Sequence, residues 1–189
     1  MNHAIVIDNL TVTYDQHPAV HHLTTTFNAG TLTSLIGPNG SGKTTLLQTI
    51  AGLRAPSEGR VTLQGFTVKD IAYLPQQDQI DKTFPMVVRD LVASGLWRST
   101  GPFARFTRKQ TQTVDVALAK VGLRGFEHRM IGSLSGGQFQ RMLFARLIVQ
   151  DAPVLLLDEP FNAIDEKTSA ELLSLIDDYR KYKTRPANE

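Results

Sequence analysis

The stretch Gly37-Pro38-Asn39-Gly40-Ser41-Gly42-Lys43-Thr44 decides the fold of this chain. It matches the pattern G-x-x-x-x-G-K-[ST] at every fixed position, and that pattern describes a loop whose backbone N–H groups wrap a polyphosphate. An apolar run over residues 31–36 predicts a short strand before the loop, and residues 44–53 carry apolar side chains at helical spacing. Strand, glycine loop and helix in this order are the context that the pattern requires.

Each part of the loop has a predicted role toward a nucleoside triphosphate. The three glycines let the backbone approach phosphate oxygens, and the following helix adds its positive N-terminal end. Lys43 is predicted to reach the β- and γ-phosphates, and the Thr44 hydroxyl is predicted to ligate Mg²⁺. The residues predicted to hold the phosphates are Gly37, Pro38, Asn39, Gly40, Ser41, Gly42, Lys43, Thr44 and Thr45.

Two acids follow an apolar run near the end of the chain. Residues 154–157 predict a buried strand that delivers Asp158 and Glu159 at its carboxyl end, where open α/β sheets place their ligands. Because neighbouring residues on a strand point to opposite sides, the two acids are expected to face different parts of a nucleotide. Asp158 is predicted to bind Mg²⁺ through water, and Glu159 is predicted to polarise the attacking water.

A second glycine turn, Leu134-Ser135-Gly136-Gly137-Gln138, is predicted to open another helix. A serine and two glycines at a helix N-terminus offer N–H donors, a hydroxyl and a positive dipole to an anion. One triphosphate does not need two such sites from one chain, since the first loop already wraps it. The hypothesis is that this turn closes over the nucleotide of a neighbouring subunit, and the alternative is an ordinary helix cap.

This ordered set of motifs resembles the ABC ATPases. The glycine turn is similar to the signature of that family, and the resemblance extends to Tyr14, to Gln76 in Tyr73-Leu74-Pro75-Gln76, and to residues 162–165 after the acid pair. The resemblance implies that the nucleotide is ATP, that Tyr14 stacks on its adenine, and that Gln76 senses Mg²⁺ and the γ-phosphate. It implies catalytic roles for Glu159, Gln76 and Lys43, Mg²⁺ contacts by Thr44, Gln76 and Asp158, and contacts of Ser135, Gly136, Gly137 and Gln138 with the partner's ATP.

Length and composition agree with one α/β domain. The chain has 189 residues, which is enough for one substantial core. Strands that alternate with helices predict a mainly parallel sheet, and residues 4–12 are expected to form an edge strand. The resemblance implies a P-loop NTPase core with an N-terminal antiparallel β subdomain and an inserted helical subdomain at about residues 78–142.

Charge and hydropathy restrict the class of partner. The net charge of +2 comes from 20 basic and 18 acidic residues, so no nucleic-acid partner is expected. There is no cysteine, which rules out disulfides and thiolate metal sites. No window of the sequence approaches eighteen apolar residues, so the chain is expected in the cytoplasm, and the resemblance places it on the inner face of the membrane.

Several segments look like the zinc/manganese importer branch of the family. Among them are Asp81-Lys82-Thr83-Phe84-Pro85, Gly125-Phe126-Glu127-His128-Arg129 and Glu159-Pro160-Phe161-Asn162-Ala163-Ile164-Asp165. The resemblance implies three partners: a second ABC subunit that forms a homodimer, an integral membrane permease and a metal-binding protein of the same importer. Non-transport ABC proteins carry tandem cassettes or a long coiled-coil insertion, and this sequence has neither.

The C-terminal segment departs from the family. Members continue past the last helix with an apolar strand and a His-Asp pair, whereas Arg185-Pro186-Ala187-Asn188-Glu189 stands in that place here. A segment that contains a proline and has no apolar run is not expected to form a strand. The sequence therefore predicts that the strand and the switch histidine are missing, through truncation, a frameshift or a short natural form. The alternative function is a catalytically impaired cassette that binds nucleotide without efficient turnover.

Overall fold

The computed structural model describes residues 4–15, 17–97, 106–162 and 164–184. The chain forms two compact units, of which the first ends at Tyr73 and the second begins at Leu74. Two predicted features lie outside the described residues: most of the looser piece at 98–106, and the segment 185–189 that replaces the expected strand.

An antiparallel sheet of three strands forms the first unit, in the order β2-β1-β3. Its strands are β1 (Ala4–Tyr14), β2 (His17–Asn28) and β3 (Glu58–Leu63). The predicted N-terminal antiparallel strands are confirmed. The prediction that β1 is an edge strand is wrong, because Ile5 pairs with Phe27 on one side and with Leu63 on the other.

The apolar pattern of β1 changes phase in the middle of the strand. Ile5 and Ile7 are buried at odd positions, whereas Leu10 and Val12 are buried at even positions. The register against β2 shifts between Ile7 and Leu10, and Asn9 lies there with a φ of 48°. A bulge adds one residue to a strand, so the side chains beyond it move to the opposite face. The bulge at Asn9 therefore keeps all four apolar side chains in the same core.

The strand predicted at residues 31–36 does not form. The backbone there has no regular secondary structure, and Leu32 and Ile36 are 68% and 94% exposed. An apolar run becomes a strand only when a neighbouring strand takes up its backbone hydrogen bonds. Neither sheet of the described residues includes this run. The helix expected after the glycine loop is present as α1 (Lys43–Ile50).

The second unit is built mainly from helices around one central helix. Its elements are α2 (Val88–Ala93), α3 (Arg108–Lys120), α4 (Gly136–Gln150), β5 (Val154–Leu157) and α5 (Glu166–Thr184), preceded by the end of β4 (Ile71–Leu74). Helix α4 contacts α2, α3 and α5. Phe139, Met142 and Leu143 on α4 are almost fully buried, so this helix carries much of the core. In the described part of the chain, no helix is long and apolar enough to cross a bilayer.

The buried strand predicted before the acid pair is present as β5. The backbone N–H of Asp158, just past the strand, donates to the carbonyl oxygen of Leu74 at 3.0 Å. Leu74 is the last residue of β4 and is 1% exposed. This hydrogen bond holds the end of β5 beside the segment that contains Gln76.

Two adjacent leucines on α5 test how much the core of the second unit contributes to the stability of the chain. Leu172 is 1% exposed and Leu173 is 48% exposed, although both lie on the same helix. We expect Leu172→Ala to lower the free energy of unfolding by about 2–5 kcal/mol, because it leaves a cavity. Leu173→Ala is the matched control and is expected to change it by less than about 1 kcal/mol. Urea denaturation measures both values, and equal losses would contradict the packing described here.

Candidate nucleotide-binding site

The glycine loop opens α1 through a close backbone contact. Gly42 caps the helix with a φ of +87°, and Gly40 has a φ of +81°. A Cβ atom at Gly42 would lie 2.1 Å from the carbonyl oxygen of Ala19. A left-handed backbone and this lack of space both require glycine at position 42. The loop is therefore held against β2 while its backbone turns into α1.

Lys43, the first residue of α1, folds back over the glycine loop. Its Nζ donates to the carbonyl oxygens of Gly37 and Pro38 at 2.8 and 2.9 Å. The loop is closed by a hydrogen bond of 3.2 Å from the Ser41 N–H to the Pro38 carbonyl. The ammonium thus already has oxygen acceptors within its reach, and a phosphate oxygen is a stronger acceptor of the same kind. This geometry fits the predicted phosphate contact.

Tyr14 lies at the end of β1 and interacts with two residues of the first unit. Its hydroxyl lies 3.4 Å from the Thr45 Oγ1, and the Arg54 guanidinium lies 3.9 Å from the centroid of its ring. Tyr14 as a whole residue is 39% exposed, so it retains accessible surface beside Arg54. Arg54 could not be predicted from the sequence, because nothing in its neighbourhood marks it as a stacking partner of Tyr14. An arginine above an aromatic face is a common cation–π arrangement.

The acid pair sits in a turn just beyond β5. Asp158 is 2% exposed, and Glu159 has a φ of 46°, a left-handed conformation that costs a non-glycine residue about 1–2 kcal/mol. The argument from strand alternation does not apply to this pair, because β5 ends at Leu157 and both acids lie beyond it. Asn162 supports the turn: its N–H donates to the Glu159 carbonyl at 3.1 Å, and its Nδ2 donates to the Glu159 Oε2 at 3.2 Å.

The second glycine turn forms the N-terminus of α4. Ser135 is the capping residue, and its Oγ accepts from the Gln138 N–H at 3.3 Å. In return, the Gln138 Oε1 accepts from the Ser135 N–H at 3.0 Å. The turn is therefore a helix cap, and a cap does not exclude an anion site. Gly136 and Gly137 form the first turn, where N–H groups have no acceptor within the helix.

An open cavity of about 580 Å³ lies beside this turn in the second unit. Its lining residues include Ser135, Gly136, Gly137, Arg141, Asp165 and Thr168. Asp165 accepts from the backbone N–H and the hydroxyl of Thr168, both at 2.8 Å, and these bonds lower the pKa of Asp165 below its ordinary value. The Arg141 guanidinium pairs with Glu171 and donates to the Thr168 hydroxyl. Arg141 therefore connects α4 to α5. This role could not be predicted from the sequence.

Gln76 lies between β4 and a short 3-10 turn, Gln77–Gln79, and is half-buried. The Asp158–Leu74 hydrogen bond brings its segment next to the acid pair within the second unit. The carboxylate of Asp158, the amide of Gln76 and the hydroxyl of Thr44 are oxygen ligands of the type that Mg²⁺ prefers. The phosphate loop and Tyr14 belong to the first unit, and the other predicted site residues belong to the second.

Comparison with known proteins identifies the family. The family model described as ABC transporter matches residues 20–162. The manganese transport system ATP-binding protein MntA of Synechocystis is 39% identical over 183 residues, which are 93% of this chain and 70% of that protein. The zinc transport system ATP-binding protein TroB of Treponema pallidum is 36% identical and matches 92% of this chain and 67% of its own length.

A solved structure agrees with the sequence relatives. An inward-facing metal-chelate type ABC transporter superposes with a TM-score of 0.82 and 31% identity, covering 96% of this chain and 69% of that one. This likeness confirms the predicted ABC ATPase fold. The glycine loop, the capped turn of α4 and the acid pair after β5 all lie within the matched region or are part of that fold. The chain belongs to the ABC transporter family, as one of its ATP-binding domains.

Proposed function

We propose that this chain binds and hydrolyses ATP to power the import of a transition-metal ion, manganese or zinc, through a membrane permease. The names of its relatives support this choice of cargo, since they include manganese and zinc transport proteins that are 36–39% identical over more than nine-tenths of this chain. The similar solved structure is described as a metal-chelate type transporter. The metal is the cargo of the assembly and is not expected to pass through this subunit.

The observation that carries the proposal is the pair of glycine-opened helices in one chain. Helix α1 begins in the phosphate loop with Lys43 folded over it, and α4 begins at a second glycine turn beside an open cavity. Both N-termini suit an anion, but a loop that wraps a triphosphate leaves no need for a second site on the same chain. We therefore infer that two copies bind ATP between them, each supplying Lys43 to one nucleotide and Ser135 to the other.

The roles of the remaining residues follow from the chemistry of phosphoryl transfer. Glu159 is the residue that would orient and polarise the attacking water, and Asp158 and Gln76 are the residues that would hold Mg²⁺. When bound, Mg²⁺ neutralises charge on the β- and γ-phosphates. Catalysis of this kind works by positioning and by charge neutralisation, without a covalent intermediate on the protein. Tyr14 provides a surface for the adenine ring.

The partners follow from this function. A second copy of the chain completes the two ATP sites, and an integral membrane permease uses the closing and reopening of the dimer to switch between its states. A metal-binding protein outside the membrane delivers the cargo to the permease. The chain itself is proposed to sit on the cytoplasmic face of the membrane, and no nucleic acid takes part.

An impaired cassette that binds ATP without efficient turnover is the competing function. No feature of the described residues favours it, since the acid pair, the glycine loop and the segment of Gln76 are all present. Steady ATP hydrolysis by the purified chain would exclude it. Binding without hydrolysis would support it and would contradict the enzymatic part of the proposal.

The two-chain site is tested by Glu159→Gln, which keeps the shape of the side chain but removes its basicity. We expect this variant to bind MgATP without hydrolysing it and to double its apparent mass by light scattering when MgATP is added. Glu166→Gln, in the exposed first turn of α5, is the matched control and is expected to behave as the unaltered chain. A Glu159→Gln variant that stays monomeric with saturating MgATP would contradict the shared site.

The cargo is tested in vesicles that contain the chain together with the membrane permease that co-purifies with it. We expect ATP-dependent uptake of manganese or zinc, and we expect Glu159→Gln to abolish it because the dimer no longer reopens. Uptake of radioactive metal measures the effect, and Glu166→Gln serves again as the control. Metal uptake that continues unchanged with Glu159→Gln would overturn the proposed function.

A further inference from the structure

A chain of side-chain hydrogen bonds crosses the second unit and ends beside Glu159. At its centre is Gln140 on α4, which is 2% exposed. The Gln140 Oε1 accepts from the Gln77 Nε2 at 2.7 Å, and the Gln140 Nε2 donates to the carbonyl oxygen of Pro160 at 2.7 Å. A buried residue thus joins the segment after Gln76 to the turn that carries the acid pair.

A neutral amide makes both of these contacts from one side-chain end. Oε1 supplies the acceptor for Gln77 and Nε2 supplies the donor for Pro160. An apolar side chain of the same size would leave the Gln77 donor and the Pro160 acceptor without their partner, which is costly at a buried position. A carboxylate would keep the acceptor, but it would face the carbonyl of Pro160 with a second acceptor.

The outer end of this chain of bonds is also anchored. The Gln77 Nε2 donates to the Gly136 carbonyl at 3.3 Å, and the Gln77 Oε1 accepts from the Lys82 Nζ at 3.3 Å. The Lys82 ammonium lies in addition 4.5 Å from the centroid of the Phe139 ring. Gln77 is therefore fixed between the start of α4 and residue 82, and its position depends on the conformation of residues 77–82.

The inner end of the chain of bonds acts on a turn that is already constrained. Pro160 follows Glu159 directly, and its ring fixes one of its two backbone torsions. Glu159 is left-handed, with Asn162 bonded to both its carbonyl and its carboxylate. A left-handed non-glycine residue persists only where its surroundings hold it. The Gln140–Pro160 bond is one such restraint, and it lies one peptide away from Glu159.

We propose that Gln140 is a positioning residue, which holds the turn of Glu159 in register with residues 77–82 and thereby sets the rate of ATP hydrolysis without contributing to ATP binding. The proposal rests on the role of Glu159 in the proposed function. A shift of residues 77–82 displaces Gln140 through its hydrogen bond with Gln77, and the displaced Gln140 moves the carbonyl of Pro160. Because hydrolysis depends on the placement of the attacking water, a small displacement of this turn lowers kcat.

The experiment uses three test variants, which are Gln140→Met, Gln77→Met and the double variant of the two. Gln150→Met is the control with which each of them is compared. Gln150 lies at the other end of α4 and is assigned no role in the site. Its substitution by Met therefore removes one amide from the same helix and matches the other variants in that respect. We expect kcat for ATP to fall by about tenfold to a hundredfold in Gln140→Met and Gln77→Met. The Kd for MgATP is expected to change by less than about threefold, and the double variant is expected to be no slower than Gln140→Met.

A second readout does not depend on turnover. The Asn162 N–H, which donates to the Glu159 carbonyl, reports on the turn by hydrogen exchange. We expect faster exchange of this amide in Gln140→Met and in Gln77→Met, and no change in Gln150→Met. Gln77 is half-buried, so Gln77→Met keeps the test decisive if Gln140→Met does not fold.

The results separate this proposal from the function on which it rests. Unchanged exchange at Asn162 in Gln77→Met, or a loss of MgATP affinity as large as the loss of kcat, would overturn the positioning role. Failure of the unaltered chain to hydrolyse ATP would contradict the proposed function instead. The exchange readout would still decide whether Gln140 holds the turn.

Discussion

The close approach of Gly42 to the backbone of β2 is the constraint on which the nucleotide site depends. The carbonyl oxygen of Ala19 lies where a Cβ of residue 42 would be, and the left-handed φ of Gly42 directs the chain into α1. Lys43 begins that helix, so the same contact determines where its ammonium can reach. Any side chain at position 42 would push the loop away from β2 and move every group predicted to bind a phosphate.

The second unit organises its part of the site through α4. The N-terminus of this helix carries the glycine turn, its middle fills the core, and Gln140 and Arg141 on it bond to the turn of the acid pair and to α5. The turn that carries Glu159 and the turn proposed to meet the partner's ATP are therefore attached to the same helix. If a dimer closes at Ser135, a movement of α4 can therefore change the position of Glu159.

The motifs could be predicted from the sequence because each of them is local. The glycine loop, the capped turn and the strand before Asp158 depend on short runs of residues whose backbone preferences agree with the fold. The strand predicted at residues 31–36 failed because pairing depends on another strand, which an apolar run cannot reveal. Strand alternation could not be applied to Asp158 and Glu159, since the chain turns at Glu159 and Asn162 completes that turn. Arg54 and Gln140 were missed because their partners lie 40 and 63 residues away in the sequence.

The affinity of Lys43→Ala for MgATP tests the central claim most directly, because this lysine is the charged group of the loop that is proposed to bind the phosphates. Lys69→Ala removes the same charge from an exposed position of the first unit and is the matched control. Isothermal titration calorimetry should show about tenfold or greater loss of affinity for Lys43→Ala and no loss for Lys69→Ala, as expected for a charge-assisted hydrogen bond of about 1.5–3 kcal/mol. Equal affinities of Lys43→Ala and the unaltered chain would contradict the account of this site.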